Sequence, residues 1–400
     1  MASVHTAPKS VPGPLAVSPK VKSLCFALMA LGVAAFVFTL FTDKERAWHA
    51  YLTGYFYVFV LAIGGLFFAS IQHIAKAGWS VNVRRFSEAL TAYLPVAFVG
   101  GLILLFGLHS LYEWTHTEVV QADPILTHKA PYLNTTFFII RMVLFFALWM
   151  LFQRKMVGAS VKQDQSGADQ LTHTQVPWSI AFLMVFALSF SLFSVDLLMS
   201  LQPHWFSTIY GVYCFAGLFQ STMAFMILMI LWCKKQGLLE GYVTEDHLHD
   251  LGKFMFAFTV FWAYIAYSQY MLMWYANMPE ETMFYLPRLA GGWMWVSIVL
   301  LLFKFIVPFL ALLSRRSKRN PAMLATIAVL ILIMQYVDIY WLIYPNLTEE
   351  RVVLGIPEVL IWLGFMGSFL FVVTRFLSQH PVVPIRDPRI EESLHHHVVY

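Results

Sequence analysis

Ten apolar runs of membrane-spanning length restrict what this chain can fold into. A helix needs about 20 mostly apolar residues to cross the hydrocarbon core of a bilayer. The runs cover residues 22–41, 51–75, 89–112, 132–153, 176–200, 206–232, 252–275, 290–313, 322–344 and 354–377. Lipid offers no hydrogen bonds to the backbone, so such runs fold as helices. The sequence therefore predicts an all-α integral membrane protein with ten transmembrane helices.

Composition supports this fold class and excludes several others. The chain is 59% hydrophobic and 12% charged, whereas soluble domains carry about 25% charged residues. Its three cysteines, Cys25, Cys214 and Cys233, form neither a C-x-x-C nor a C-x-x-C-H pattern. We therefore expect no iron–sulfur ligand set, no covalently attached haem and no metal site on this chain. No nucleic-acid partner is expected.

The basic residues are distributed unequally between the two sides that ten helices create. The N-terminus, the connections after even-numbered helices and the C-terminal tail contain nineteen Lys and Arg residues, among them Lys9, Arg84 and Arg85. The connections after odd-numbered helices contain five: Lys44, Arg46, Lys129, Arg288 and Arg351. Cytoplasmic loops carry the excess of Lys and Arg in membrane proteins. Both termini are therefore expected in the cytoplasm.

Helices 2–5 and helices 6–9 repeat one pattern of polar and aromatic residues. Four features recur in the same order and, where two residues are involved, with the same spacing. They are Trp48 and Gly54 with Trp205 and Gly211, His109 and Trp114 with Gln269 and Trp274, Arg141 with Lys304, and Asp196 and Pro203 with Asp338 and Pro345. Four crossings return the chain to its starting side, so the copies share one orientation, unlike inverted-repeat transporters. The repeat predicts two pseudo-symmetric four-helix bundles, helices 2–5 and 6–9, with helices 1 and 10 peripheral.

This pattern divides the chain into six parts. A cytoplasmic N-terminal tail covers residues 1–21, and transmembrane helix 1 covers 22–41. The first bundle occupies 51–200 and the second occupies 206–344. Transmembrane helix 10 covers 354–377. A cytoplasmic C-terminal tail covers 378–400, and we expect it to be solvated, including the histidine tract at 395–397.

Polar residues inside the predicted spans are the main site candidates. A charge inside a span costs at least about 2.5–3.5 kcal/mol on insertion scales, so it usually faces the helix bundle and has a partner. The six candidates are His109, Arg141, Asp196, Gln269, Lys304 and Asp338. The repeat assigns the first three to one bundle and the last three to the other. Each bundle is thus predicted to hold one buried polar cluster.

Two stretches of the sequence resemble a known family. They read SVDLLMSLQPHWFSTIYGVYCFAG at residues 194–217 and WAYIAYSQYMLMWYANMPEET at residues 262–282. Both are similar to the NrfD/PsrC-like membrane subunits, and within that family to the ActF-like subunits of bacterial alternative complex III, a quinol:cytochrome c oxidoreductase. The likeness extends over ten helices, short connections and a tail that ends DPRIEESL at 387–394.

The resemblance implies a subunit of the bacterial cytoplasmic (inner) membrane that takes part in quinol oxidation or coupled proton movement. The implied partners are a paralogous NrfD-like subunit, an iron–sulfur subunit, multihaem and monohaem cytochromes c, small membrane subunits and membrane lipid. A quinone or menaquinone is the implied ligand, and the redox centres belong to the partners. The bulky residues that line or fill the family's quinol pocket would be Trp205, Phe206, Tyr210, Tyr270 and Trp274.

Two interpretations of the buried polar residues remain open at this point. Each charge pair either fixes helix packing, since pairing is how buried charges are tolerated, or belongs to a proton-conducting or quinol-binding cluster. Two other functions also remain as alternatives. The chain could be a secondary transporter, or a purely structural anchor subunit without a ligand.

Overall fold

A computed structural model describes residues 11–349 and 351–397, so Lys9 and the ends of both predicted tails lie outside the described range. Ten helices in this range are long and apolar enough to cross a membrane, as the sequence predicts. They are α1 (Pro19–Thr42), α2 (Lys44–Ile74), α3 (Gly78–Leu111), α4 (Thr135–Ser166), α5 (Gln170–Leu201), α6 (Tyr210–Lys235), α7 (Glu245–Ala276), α8 (Gly291–Leu312), α9 (Pro321–Asn346) and α10 (Ile356–Gln379). The described residues thus form an all-α, multi-pass architecture.

The connections between the ten helices divide between two faces. We call the face with the connections after odd-numbered helices the loop face. It carries four short helices, Thr117–Ala122, Pro124–Lys129, Pro279–Thr282 and Tyr285–Arg288. The opposite face, the tail face, holds both ends of the described chain and the short helices Arg315–Arg319 and Ile390–Leu394.

Several helices extend beyond the apolar runs that predict them. Helix α3 begins at Gly78 instead of residue 89, and α7 begins at Glu245 instead of residue 252. Thr244 forms a capping box with His247 at the start of α7, and such caps satisfy the first backbone N–H groups of a helix. Hydropathy marks only the part of a helix that lies in lipid. Arg84 and Arg85, predicted in a connection, are consequently helical and buried.

Helix α8 is irregular around its lysine. Leu300–Ile306 form a π-helix, and Pro308 follows shortly after. A proline lacks a backbone N–H and crowds the carbonyl four residues before it, which here belongs to Lys304. That carbonyl accepts a hydrogen bond from Gln220 Nε2 at 3.4 Å. Such π-turns occur frequently at functional sites.

Helices α2 and α6 lie at the centre of the helix assembly. Helix α2 contacts α1, α3, α5, α6, α9 and α10, while α6 contacts α2, α3, α5, α7 and α9. Around them, α3 contacts α4, α4 contacts α5, α7 contacts α8, and α8 contacts α9. Aromatic rings fill much of the core; the ring of Phe59, for example, lies 4.7 Å from Phe193 and 5.2 Å from Trp149. The ten helices therefore share one continuous interior.

Helix α1 packs along α10 through glycines. A Cβ atom added to Gly32 would lie 2.5 Å from Gly364 Cα, and one added to Gly367 would lie 2.9 Å from the Cys25 carbonyl oxygen. Small residues allow the backbones of spanning helices to approach closely, which strengthens van der Waals packing. A larger side chain at this crossing must push α1 away from α10.

We expect Gly364→Leu to separate α1 from α10 and to destabilise the protein by about 1–3 kcal/mol, the usual cost of overpacking. The measurements are thermal unfolding in detergent and the alkylation rate of Cys25, which is buried in this crossing, in a background without Cys214 and Cys233.

The matched control is Gly158→Leu on α4, because nothing lies within 4 Å of a Cβ added to Gly158. Cys25 should react faster in Gly364→Leu than in the wild type or the control. Equal rates and equal unfolding temperatures for all three proteins would contradict the described packing.

Candidate functional site

Four helices contribute to a buried polar cluster around Asp338. Lys304 Nζ of α8 lies 2.5 Å from Asp338 Oδ2 and donates to Gln335 Oε1 at 2.7 Å. Tyr213 Oη of α6 donates to Asp338 Oδ1 at 2.5 Å, and Trp262 Nε1 of α7 donates to Oδ2 at 3.2 Å. All five side chains are buried. We call these residues, Tyr213, Trp262, Lys304, Gln335 and Asp338, the Asp338 cluster.

The cluster compensates the charges that it buries. An isolated ion would lose its hydration shell without replacement, whereas a hydrogen-bonded pair recovers most of that cost. Lys304 Nζ also lies 4.7 Å from the centre of the Trp262 ring, where the ring face attracts a cation. Asp338 thus accepts from a lysine, a tyrosine and a tryptophan, three donors on three different helices.

A cavity of about 440 Å³ adjoins the Asp338 cluster between α7, α8, α9 and the loop-face segment before α8. Tyr213 and Trp262 form part of its wall, and Tyr270 and Tyr285 line it further out. Its lining also includes Tyr267 of α7, which is 63% exposed, and Leu301 of α8, which is 51% exposed, both on the apolar surface of the protein. The cavity therefore leads from the surface that faces lipid to the partners of Asp338.

A buried arginine lies behind this cavity, and the sequence analysis missed it. Arg288 was counted only as a loop-face cation, yet its side chain is fully buried. It donates to the carbonyl oxygens of Phe284 at 2.6 Å, Leu342 at 2.9 Å and Trp341 at 3.2 Å, and Phe284 covers its guanidinium face at 3.6 Å. Burial lowers the pKa of Arg288 to about 10, so the group stays charged at neutral pH.

The Arg141–Asp196 pair in the first half of the chain has a different geometry. Arg141 of α4 binds Asp196 of α5 with two parallel hydrogen bonds, Nε to Oδ2 at 2.8 Å and Nη2 to Oδ1 at 2.9 Å. Its Nη1 donates to the Tyr132 carbonyl oxygen at 3.0 Å. The rings of Tyr132 and Phe137 cover the guanidinium at 3.9 and 4.4 Å. This fork geometry, with two aromatic rings against the guanidinium, suits a fixed structural contact.

The structure does not bring every predicted residue to these two sites. His109 is exposed and stacks on His116 with ring centres 3.7 Å apart, and it does not join the Arg141–Asp196 pair. Gln269, its counterpart in the repeat, is buried beside Tyr285. The repeat aligns the two residues along the chain, but His109, just past the 3₁₀ turn Leu105–Gly107, is exposed whereas Gln269 is buried.

The predicted pocket-lining residues also separate. Tyr270 lines the cavity next to the Asp338 cluster, whereas Trp274 is exposed on the outside of α7. Trp205 stacks on Phe284 at 4.1 Å, packs edge-on against Tyr210, and donates to the Glu281 carbonyl oxygen at 3.1 Å. Trp205 and Phe206 line a different cavity, of about 380 Å³, next to Tyr132. Trp205 therefore belongs to the wall of this second cavity, and Tyr210 packs against it.

A second charged network lies at the tail face, where the sequence analysis predicted a solvated tail. Arg84 donates to Asp387 at 2.5 Å, and Arg85 donates to Glu88 at 2.7 Å and also binds Asp164. Asp387 belongs to the C-terminal tail, so this network ties the tail to α3 and α4. The expectation of a solvated tail is wrong for its buried residues Val382, Val383, Asp387 and Ser393, whereas His395 and His397 are exposed.

Apolar and hydrogen-bonding contacts hold the same tail in place. Val382 and Val383 are buried, Ser393 Oγ donates to the Trp79 carbonyl oxygen at 2.7 Å, and His396 Nε2 lies 2.6 Å from Asp250 Oδ2. The histidine tract therefore contributes a contact to α7. In the sequence, the paired valines and the Asp-Pro-Arg at 387–389 were the available signals of docking.

Within residues 11–349 and 351–397, no three His, Cys, Asp or Glu side chains lie together in a way that could hold a metal ion. Comparison with models of known protein families and with curated proteins finds no match to this chain. The likeness of residues 194–217 and 262–282 to the NrfD/PsrC-like family thus stays an expectation from the sequence.

The Asp387 carboxyl should make tail docking pH-dependent. Burial raises the pKa of Asp387, but the charges of Arg84 and Arg389 and the hydrogen bonds that they donate have the larger, opposite effect. The pKa is therefore lowered to about 2. The pKa of an unfolded aspartate is about 3.9. The stabilisation, on the order of 2 kcal/mol, is therefore complete above about pH 4 and is lost as the pH falls towards 2.

We expect Asp387→Asn to release the tail at neutral pH, because it leaves Arg84 buried without its main counter-charge. Trypsin cleavage at Arg386 and Arg389 measures release, and cleavage should be several-fold faster in the variant. The control is Glu391→Gln in the same tail, since the Glu391 side chain is exposed. If Asp387→Asn were cleaved no faster than Glu391→Gln, the network would not hold the tail.

Proposed function

We propose that this chain is a quinol-binding membrane subunit of a bacterial quinol:acceptor oxidoreductase of the alternative complex III type. The observation that carries this proposal is the cavity that runs from the lipid-facing surface of α7 and α8 to the side chains around Asp338. The cavity opens at apolar residues, is lined by aromatic rings, and ends at the hydrogen-bond partners of Asp338, a buried proton acceptor.

The dimensions and lining of the cavity suit a quinol head group. Its volume of about 440 Å³ lies in the range of about 300–1,000 Å³ that small-molecule sites occupy. The rings of Trp262, Tyr270 and Tyr285 offer flat apolar contacts for an aromatic ligand. An isoprenoid tail would leave past Tyr267 and Leu301 and remain in the bilayer.

The cluster offers a route for one of the two protons that a quinol loses with its two electrons. A quinol hydroxyl next to Tyr213 can donate its proton to Tyr213 Oη while the Tyr213 proton passes to Asp338 Oδ1, 2.5 Å away. Lys304 holds the carboxylate in place as an acceptor and balances its charge. The two electrons pass to redox centres of the partner subunits, and the second hydroxyl proton leaves to water at the loop face.

We further propose that α2–α5 and α6–α9 are two related four-helix bundles of which only the second binds quinol. The helix contacts close in a ring within each set: α2–α3–α4–α5–α2 and α6–α7–α8–α9–α6. Arg141 engages both carboxylate oxygens of Asp196 in one two-bond fork. Asp338 instead accepts from Lys304, Tyr213 and Trp262, and the last two form part of the cavity wall. The first pair would then be structural and the second catalytic.

In this proposal the tail face is cytoplasmic, as the distribution of Lys and Arg indicates, and the membrane is the bacterial inner membrane. The cavity lies towards the loop face, since Tyr285 and Leu289 line it. The iron–sulfur and cytochrome c subunits would then receive electrons at the loop face, with the paralogous NrfD-like subunit alongside in the membrane. A chain that purifies alone and transports a small solute would instead be a secondary transporter.

We expect Asp338→Asn to lower quinol oxidation by the assembled complex about 100-fold, since a positioned acid or base typically contributes 10²–10⁴-fold. The matched variant is Asp196→Asn, which removes the corresponding carboxylate from the pair with Arg141. It should lower thermal stability, because Arg141 loses its counter-charge, and leave the turnover of the assembled complex within about threefold.

Turnover with a soluble quinol analogue and proton release are the measurements. An unchanged turnover in Asp338→Asn would refute the catalytic role of the cluster. Equal losses of turnover in Asp196→Asn and Asp338→Asn would refute the assignment of quinol binding to the second bundle alone.

We also expect Ala266→Trp to fill the cavity, because Ala266 belongs to its wall. Quinone that co-purifies with the delipidated complex should fall to below about a tenth of the wild-type amount, as overpacking leaves no room for a ring. The control is Ala181→Trp, since Ala181 is exposed on the surface of α5. Retention of wild-type quinone by an assembled Ala266→Trp complex would show that the quinone binds elsewhere.

A further inference from the structure

A strongly basic cleft lies at the tail face where α8 ends and α9 begins. Its volume is about 610 Å³, and its lining comprises Arg315, Arg316, Arg319, Asn320 and Pro321 together with Glu245 at the start of α7. Three guanidinium groups therefore share one opening with a single carboxylate. No role for this cleft follows from the proposed quinol site, which lies towards the opposite face.

The backbone around the cleft is held in a defined shape. Ser314 Oγ caps the short helix Arg315–Arg319 by accepting from Ser317 N at 3.0 Å. Lys318 turns inward and donates to the carbonyl oxygens of Leu312 and Leu313 at 2.7 and 3.1 Å, which closes the end of α8. Arg315 and Arg316 are exposed on this connection. They are thus presented from a fixed support, which lowers the entropy cost of binding.

Apolar surface continues directly from the cleft along the two spanning helices. Leu310 and Leu313 near the end of α8 are exposed, and so is Met323 in the first turn of α9. The ends of spanning helices lie at the level of the lipid head groups, whichever way the protein is oriented. The arginines of the cleft therefore lie at the depth of the lipid head groups. The exposed side chains of Leu310, Leu313 and Met323 lie closer to the hydrocarbon core, where lipid tails can contact them.

We propose that this cleft binds the phosphate of an anionic phospholipid, with the acyl chains lying along Leu310, Leu313 and Met323. Arginine forks match the oxygens of a phosphate, and basic pockets between spanning helices bind anionic head groups. A neutral phospholipid carries a compensating ammonium group and gains less from the three arginines. Arg315, Arg316 and Arg319 supply the attraction, and Glu245 opposes it.

The test is a titration of the purified full-length protein, within its complex if it assembles with partners, followed by native mass spectrometry. The probes are phosphatidylglycerol, phosphatidylcholine and inorganic phosphate. The wild type should prefer phosphatidylglycerol to phosphatidylcholine. Arg315→Gln/Arg316→Gln should weaken binding of phosphatidylglycerol on the order of tenfold, since each basic group near a membrane surface contributes appreciably, and Glu245→Gln should strengthen it several-fold.

The matched control is Lys20→Gln/Lys22→Gln, which removes two exposed positive charges at the start of α1, outside the cleft. Its affinity should stay within twofold of the wild type. Equal weakening in the control would show that only net charge matters and would overturn the proposal. Saturation by inorganic phosphate as tight as by phosphatidylglycerol, or a wild-type cleft that a partner subunit covers and that holds no lipid, would overturn it too.

The quinol proposal can fail without affecting this result. The readout is lipid retention, and none of the four substituted arginine and lysine residues touches the Asp338 cluster or its cavity. Likewise, loss of the lipid preference in the arginine variant leaves quinone content as an independent measurement.

Discussion

The cost of burying a charge in a membrane protein governs how this chain is assembled. Each ion inside the helix assembly must recover the hydration that it loses, and only groups on neighbouring elements can supply that compensation. Arg141 pairs with Asp196 and joins α4 to α5. Lys304 pairs with Asp338 and joins α8 to α9. Each pair therefore determines which helices are neighbours, at a depth where apolar side chains distinguish poorly between a helix and lipid.

The same requirement is met at the tail face by a segment outside the membrane spans. Arg84 lies on α3 and is fully buried, and its closest counter-charge, Asp387, follows α10 by several residues. The end of the chain is thereby drawn back onto α3 and α4. Arg288 shows a third solution, since backbone carbonyls and an aromatic face take the place of a carboxylate.

The two charge pairs that the proposed repeat aligns meet this constraint differently. In the first half, both carboxylate oxygens of Asp196 accept hydrogen bonds from the guanidinium of Arg141, and the Tyr132 ring covers that guanidinium. In the second half, a lysine takes the place of the arginine. A lysine is a point donor, so Asp338 also accepts from Tyr213 and Trp262, which border a cavity. The change from Arg to Lys thus accompanies the opening of the proposed quinol site.

Sequence reasoning succeeded for properties that one physical quantity determines, such as the number of spans. It failed for the orientation and burial of individual side chains. Ten spans follow from apolar length, and the structure brings together the Arg and Asp, and the Lys and Asp, that the repeat assigns to each half. The repeat could not show that His109 faces outward, because spacing along the chain does not determine the direction of a side chain. Nor could hydropathy show that Arg84 and Arg85 are buried, since it scores polar helix ends as loops.

The sequence by itself determined the class of this protein: an all-helical, ten-span chain whose internal charges require partners. Those properties depend on the length of the apolar runs and on the cost of placing a charge in the bilayer, and both follow from the order of residues along the chain. Only the tertiary structure decided that the tail docks, that a single arginine fork holds Asp196 and that Asp338 accepts from two residues of a cavity wall. These outcomes depend on distances between residues far apart in sequence, such as Tyr213 with Asp338 and Arg84 with Asp387. Such distances arise only when all ten helices pack at once.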